Sequence, residues 1–190
     1  MALIKKIFYL ITLLIFFVQC NQSNKYEVKK GMVGNINKQT IIADLGKIFK
    51  NDSIVSNKSY LDSLNTKKMF SLNDDEFDIY SKTGKKLLEI TANTQNDSLS
   101  KIKSIGIYDS NYVTDKGISL KSTFKDINEN YLVNNVETTL TSATLFIDEL
   151  NATISIDKKE LGISKFSREE VALNQIPDMA KIKYFTIWFN

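Results

Sequence analysis

Cys20 is the only cysteine in a chain of 190 residues, and there is no histidine at all. These two facts restrict the folds and the chemistry open to the chain. A single thiol cannot close an internal disulfide, so stability must come from an apolar core and a hydrogen-bonded backbone. Without histidine, a histidine-ligated metal, a Ser-His-Asp triad, a Cys-His dyad and a histidine acid–base pair are all excluded. Catalysis would have to use carboxylates, lysine, tyrosine or serine. The seven glycines are scattered singly, so there is no glycine-rich phosphate loop and no cofactor motif.

The position of Cys20 says where the chain goes. Lys5 and Lys6 precede an apolar run over residues 7–18, broken only by Thr12, and Gln19 and Cys20 follow directly. Twelve residues make a helix of about 18 Å. That is short for a hydrocarbon core of about 30 Å, but it suits the apolar stretch of a secretory signal. Phe17, Val18 and Gln19 lack the small residues of an ordinary signal cleavage site. The reading that remains is a lipoprotein signal peptide over residues 1–19, with the Cys20 thiol as the nucleophile that receives the diacylglyceryl group. The residues before Cys20 resemble the relaxed lipoboxes of Bacteroidetes lipoproteins. Acyl chains such as palmitate contribute about 0.8 kcal/mol per buried methylene, so the folded part needs no membrane-binding helix or basic patch of its own. Asn21 rather than Asp follows Cys20, and residues 21–25 carry no acidic cluster. By resemblance to the sorting rules of such lipoproteins, the expected address is the periplasmic face of the cell outer membrane.

The polar, aperiodic residues 20–30 read as a flexible tether, and residues 31–190 as one domain with room for a core. Formal charge is +3 for the whole chain, and +1 once Lys5 and Lys6 are removed with the signal. That balance does not favour nucleic acid as a partner.

The expected fold is α+β: a mostly antiparallel sheet with two short capped helices packed on it. Gly31 to Ile36 reads as a short strand. Thr40 is the expected cap of a first helix bearing Ile41, Ile42, Leu45, Ile48 and Phe49 at helical spacing, with Asp44 in its first turn. Residues 51–71 read as a polar loop or a second short helix carrying Tyr60, Leu61 and Leu64. Phe77, Ile79 and Tyr80, the turn Thr83-Gly84-Lys85, and Leu87 to Ile90 predict a hairpin. Residues 102–108 predict a central strand covered on both faces at its end. Thr123-x-x-Asp126 is a variant capping box opening a helix through Ile127 to about Tyr131. Strands follow over 133–139, 143–147 and 153–156, with a weak helix near 167–173. A closing strand over 181–189 must be paired on both sides or become an aggregation hazard.

Two segments echo each other. Ile36, Thr40, Asp44, Leu45 and Phe49 match Ile118, Ser122, Asp126, Ile127 and Tyr131 at a constant offset of 82 residues. One reading is a duplicated half-domain, giving pseudo-symmetric halves with a groove between them. The other is that strand, cap and helix recur as a generic way to start a helix, and this second reading is the preferred expectation.

The stretch from Ile102 to Asp109, then Tyr112, Asp115 and Gly117 to Ile127, resembles the small bacterial lipoproteins typified by the sigma-E-regulated lipoprotein of enterobacteria. The opening Gly31-Met32-Val33-Gly34 and the closing Lys181-Ile182-Lys183 through Trp188 are similar as well. This chain lacks the extra cysteines of several members. The resemblance implies a lipid anchor at the mature N-terminus and supports this fold. It brings no catalytic residues.

Several clusters have two readings. Asp74, Asp75, Glu76 and Asp78 could hold a divalent cation through oxygen, but they lack EF-hand spacing, and a solvated loop is the expectation, so no metal site is assigned. Asp52-Ser53-Ile54, Asp62-Ser63-Leu64 and Asp97-Ser98-Leu99 resemble Bacteroidetes O-glycosylation tripeptides, in segments read as polar or loop. Tyr184, Phe185, Trp188 and Phe189 divide by strand alternation into a core face and a face open to a partner or ligand. The expected function is a membrane-anchored cell-envelope lipoprotein that acts as a non-enzymatic binding or assembly module. Its partners are the membrane, through Cys20, and an envelope protein. The alternative is a carboxylate-based glycan hydrolase using Asp109 and Asp115 or acids near Asp74, which requires two facing carboxylates about 5–9.5 Å apart with one shielded from water.

Overall fold

The computed structural model describes residues 24–56, 75–164 and 167–189. Cys20, the signal segment, Asp74, and the helix considered around Tyr60, Leu61 and Leu64 lie outside the described residues, as does the Asp62 tripeptide.

Three short strands open the described chain: β1 (Glu27–Lys29), β2 (Met32–Val33) and β3 (Ile36–Asn37). Gly31 (φ +66) and Gly34 (φ +57) make the two tight turns between them, a backbone conformation that glycine adopts without steric cost. The single strand expected over Gly31 to Ile36 is therefore two. A 3-10 turn (Ile42–Asp44) runs into α1 (Leu45–Ile48). Then come β4 (Ser53–Ser56), β5 (Glu76–Tyr80), β6 (Lys86–Ala92) and β7 (Ile102–Ile107), followed by β8 (Val113–Thr114) and α2 (Phe124–Asn130). The chain finishes with β9 (Asn135–Thr138), β10 (Ser142–Ile147), β11 (Ala152–Asp157) and β12 (Ile182–Trp188).

Two sheets form. The small one has the order β3-β2-β1-β8, with β1 and β8 parallel. The large one has eight antiparallel strands in the order β4-β5-β6-β7-β12-β11-β10-β9. Strand alternation gives it one aliphatic face. Ile79, Leu88, Ile107, Phe185 and Ile154 line up across five neighbouring strands, and each is at most 3% exposed. Leu45, Phe49, Phe124 and Ile127 of the helical segments join that face in one continuous core with Val28, Val33 and Ile36 of the small sheet. Val28 is fully buried, so the ordered domain takes in residues of the expected tether. The α+β architecture is as expected, and the hairpins β5–β6 and β10–β11 fall where the sequence placed them.

The large sheet is two four-stranded meanders, β4 to β7 and β9 to β12, joined back to back where β7 meets β12. The approximate twofold between them extends to single hydrogen bonds. Ile42 and Ala43 N–H groups donate to the carbonyls of Ser100 and Ser98 at 3.0 and 2.9 Å. At an offset of 82 residues, Phe124 and Lys125 donate to Ala180 and Asp178 at 2.8 and 2.9 Å. Asn37 N–H donates to Thr40 Oγ1 at 3.0 Å, and Ser119 N–H to Ser122 Oγ at 3.1 Å. Isolated bridges join Ile41 to Lys101 and Thr123 to Lys181. A generic helix start accounts for none of these long-range matches. The echo in the sequence marks two structurally equivalent halves, as the less favoured reading required, and the preference for the generic reading is corrected.

The two helix starts differ in one respect. Thr123 caps α2: its Oγ1 accepts from Asp126 N–H at 3.4 Å, while Asp126 Oδ2 accepts from Thr123 N–H at 2.7 Å. In the first half the equivalent position is Ile41, whose side chain cannot accept, so only Asp44 Oδ2 accepts from Ile41 N–H at 3.3 Å. Thr40 is one residue too early and serves Asn37 instead. The first helix is correspondingly short, with α1 covering four residues against seven for α2.

Three other expectations are revised. Ser53 to Ser56 form edge strand β4 rather than loop or helix, so Ser53 of the first tripeptide is in a strand. The helix expected near residues 167–173 is absent. That segment is extended up to a 3-10 turn (Leu173–Gln175), and Val171 N–H donates to Thr138 Oγ1 at 2.8 Å, which covers part of the β9 edge. Third, β7 is central, but at its end only one face is covered: Ile105 and Ile107 are buried, whereas Gly106 is half-buried and Tyr108 is 38% exposed.

Thr123→Ala is expected to cost about 1 kcal/mol, seen as a lower urea midpoint with unchanged slope. Ile187→Ala, at the seam and fully buried, is expected to cost about 2–5 kcal/mol and to weaken both halves in one transition. Separate transitions in circular dichroism and tryptophan fluorescence would show that the halves are independent.

Candidate functional site

A cleft of about 350 Å³ lies where the N-terminal segment meets the first meander. Its walls come from Lys25, Tyr26 and Asn35 near the small sheet, Asp52 after α1, Ser81, Thr83 and Lys85 of the β5–β6 turn, and Asp109, Asn111 and Tyr112 after β7. The turn chemistry explains the placement. Gly84 (φ +78) lets the hairpin close tightly, which brings Lys85 across to the loop that leaves β7.

Asp109 anchors that loop. Its side chain is 3% exposed and accepts from Lys85 Nζ at 2.7 Å, from Asn111 N–H at 3.0 Å and from Asn111 Nδ2 at 3.4 Å. Burial works to raise its pKa, but the Lys85 and Asn111 hydrogen bonds outweigh burial and hold the carboxyl below its ordinary range. Asp109 is therefore a fixed negative charge at neutral pH, with the half-exposed Lys85 ammonium over it.

Tyr112 forms the inner wall. It is 4% exposed and meets Tyr26 edge to face, with centroids 5.2 Å apart at 85°. Burial is the main influence raising its pKa, and Tyr26, Asp109 and Asp52 add to it, so the phenol stays protonated. Among the described residues its hydroxyl has no hydrogen-bond partner, although Tyr112 lines the cleft. Gly34 lies against the Tyr112 ring. A methyl group there would fall against the Lys25 carbonyl and touch the Tyr112 ring, and φ of +57 strains most other residues. Lys25 Nζ lies 4.6 Å from the Tyr26 ring centroid. The charges of the cleft are thus balanced, with Lys25 and Lys85 against Asp52 and Asp109. Such a site offers hydrogen-bond donors and acceptors of both kinds without a net field.

Of the sequence candidates, Asp109 is in the cleft and Asp115 is engaged elsewhere. Asp115 is exposed, and its Oδ1 accepts from Tyr131 OH at 3.1 Å. The acidic cluster disperses. Asp75 Oδ2 accepts from Asn96 N–H, while Asp78 lies on the other face of the large sheet against Lys86 Nζ at 2.7 Å. Among the described residues no group of three His, Cys, Asp or Glu could hold a metal ion. Tyr112, Lys85 and Gly34 were not singled out as site residues from the sequence. Gly34 stood in the Gly31-Met32-Val33-Gly34 opening, but nothing local links it to a tyrosine 78 positions on.

No family model and no curated protein matches the sequence. The solved structures contain a match in the crystal structure of the uncharacterized protein yfeY from Escherichia coli. Its TM-score is 0.55 with 12% identity, and the alignment covers 85% of this chain and 99% of that one. The two chains share a fold. At that identity the likeness speaks for the fold.

Asp109→Asn is expected to cost about 1.5–3 kcal/mol near neutral pH, the range for hydrogen bonds to a charged group. Folding lowers the Asp109 pKa, so the stabilisation is complete above the ordinary carboxylate range and is lost as pH falls through the lowered value. The urea midpoints of wild type and variant should therefore converge in acid. A gap that persists unchanged there would mean that the charge is not what stabilises the loop.

Proposed function

We propose that this chain is a lipid-anchored cell-envelope lipoprotein whose folded domain is a binding module without chemistry of its own, a distant relative of the sigma-E-regulated lipoproteins. The observation that carries the binding reading is the Tyr112 hydroxyl: protonated, on an otherwise buried side chain, without a partner among the described residues, and lining a cleft beside the Lys85–Asp109 pair. A hydroxyl that opens into a cleft without a protein partner is placed to exchange water for a hydrogen bond to a bound polar molecule. A charge-balanced cleft of this size suits a small polar ligand with both donors and acceptors. The lipid anchor is supported by the order of Lys5, Lys6, the apolar run and Cys20. The hydrolase alternative finds less support. Asp109 is held charged by Lys85 and is poorly placed to serve as an acid, and Asp115 is exposed and turned to Tyr131.

Two experiments test the two parts. Mass spectrometry of the protein from membrane fractions should find Cys20 as the N-terminal residue bearing diacylglycerol, and Cys20→Ser should leave the protein unlipidated. A retained Met1 or a free Cys20 thiol in the native protein contradicts the anchor. Native mass spectrometry of the detergent-extracted protein should find a small molecule that is lost in Lys85→Ala and weakened in Tyr112→Phe. Identical spectra for wild type and both variants contradict the binding cleft.

A further inference from the structure

The face of the large sheet turned away from the helices exposes Tyr108 and Tyr184 at one end of the β7–β12 seam and is partly exposed on toward Trp188, and its side chains form a pattern that the cleft does not explain. Tyr108 and Trp188 hold equivalent places in the two halves: Tyr108 N–H donates to Leu87 O at 2.9 Å, and Trp188 N–H to Asn151 O at 2.8 Å. Tyr108 and Tyr184 stand one residue beyond the paired Ile107 and Phe185, and they are 38% and 48% exposed. Trp188 is half-buried four residues along from Tyr184, roughly 13 Å at the rise of a strand. Between these rings the floor is low, because Gly106 pairs with Thr186.

Hydroxyls continue the platform sideways. Thr186 pairs with Thr153, whose Oγ1 accepts from Trp188 Nε1 at 3.1 Å, and Thr144 Oγ1 lies 2.9 Å from Ser155 Oγ. The flanking cations are neutralised in place. Lys86 Nζ sits 2.7 Å from Asp78 Oδ1 and 2.6 Å from Glu89 Oε2, and 4.1 Å from the Tyr108 ring centroid. Lys183 Nζ sits 2.8 Å from Asp157 Oδ2 and 5.1 Å from the Tyr184 ring centroid.

Half-exposed rings at both ends of a flat, hydroxylated floor, with the neighbouring charges paired off, match one ligand chemistry closely. Pyranose rings present C–H faces to aromatic rings and hydroxyl rims to threonine and serine, and an uncharged chain of them needs no counter-charge. A polyanion or an anionic membrane would want free lysines here, and a second protein copy would want a more apolar centre than glycine and threonine. We propose that this face binds an extended, uncharged glycan chain laid across the β7–β12 seam, with Tyr184, Tyr108 and Trp188 as its stacking rings. This reading is independent of the cleft.

The chain contains one tryptophan, so its intrinsic fluorescence reports on this face directly. Chitohexaose and cellohexaose titrated into the detergent-solubilised full-length protein should shift Trp188 emission to the blue and give matching heats by calorimetry. Tyr184→Ala, a substitution at an exposed position, should weaken binding roughly threefold to tenfold. Tyr112→Phe in the cleft should leave binding unchanged. The proposal is overturned if neither hexaose changes emission or releases heat, or if dextran sulfate binds as well as the neutral sugars. It is also overturned if Tyr112→Phe rather than Tyr184→Ala removes binding, which would place the sugar in the cleft. Concentration-dependent dimerisation that itself shifts Trp188 emission would show that this face is an interface between copies.

Discussion

The pairing of β7 with β12 is the interaction on which the rest of this molecule depends. Ile105 meets Ile187 and Ile107 meets Phe185 across that seam, and all four are at most 3% exposed. Each meander alone would present a long strand with an unpaired edge and an aliphatic face of four strands. Joined, each supplies the partner that the other's edge lacks, and one core runs beneath both. A chain without disulfides can then reach the burial it needs, since doubling the sheet raises the buried fraction of its apolar surface. The central position also answers the hazard of a terminal strand rich in β-formers, because β12 is paired on both sides.

The two equivalent halves set the frame, and the candidate surfaces follow from how far the halves agree. The cleft exists where they differ. One residue past Tyr108 and Trp188 stand Asp109 in the first half and Phe189 in the second, the one a fixed charge under Lys85 and the other a core ring 7% exposed. The turns differ too, so no counterpart of Lys85 reaches over Phe189. The open face depends instead on agreement, with a ring at each end of the seam. Candidate sites on a pseudo-symmetric fold can arise in either way, and the two proposed here are one of each.

Much of the local structure was legible in the sequence because its signals are short-range. The Thr123–Asp126 box, the hairpin turn at Gly84 and the alternation that divides Phe185 from Tyr184 each lie within a few residues. Failures occurred where a distant partner decided the outcome. Thr40 looks like a cap, but the backbone enters the helix one residue later, at Ile41, where the bridge to Lys101 holds it. Ser53 to Ser56 read as polar loop because an edge strand has only one neighbour, here β5, to reward pairing, and its composition shows it weakly. The duplication was visible only over its first helix. The offset is 82 residues there, then 68 between Ile79 and Ile147, 64 between Leu88 and Ala152, and 80 between Ile107 and Ile187. Unequal numbers of residues between equivalent strands, 57–75 against 139–141 and 93–101 against 158–181, shift the register and hide the repeat from any comparison at fixed spacing.

By itself, then, the sequence determined that histidine and disulfide chemistry are absent, where the two central hairpins and the Thr123 cap fall, and that the fold is a mostly antiparallel α+β domain. Residue types and short spacings carry that information without reference to the rest of the chain. Only the tertiary structure decided which residues meet: Lys85 with Asp109, Tyr112 with Tyr26 above Gly34, and the rings of β7 and β12 on one open face. Those meetings are set by strand order, and strand order depends on how two buried faces and their edges satisfy one another, a property of the whole chain that no local window contains.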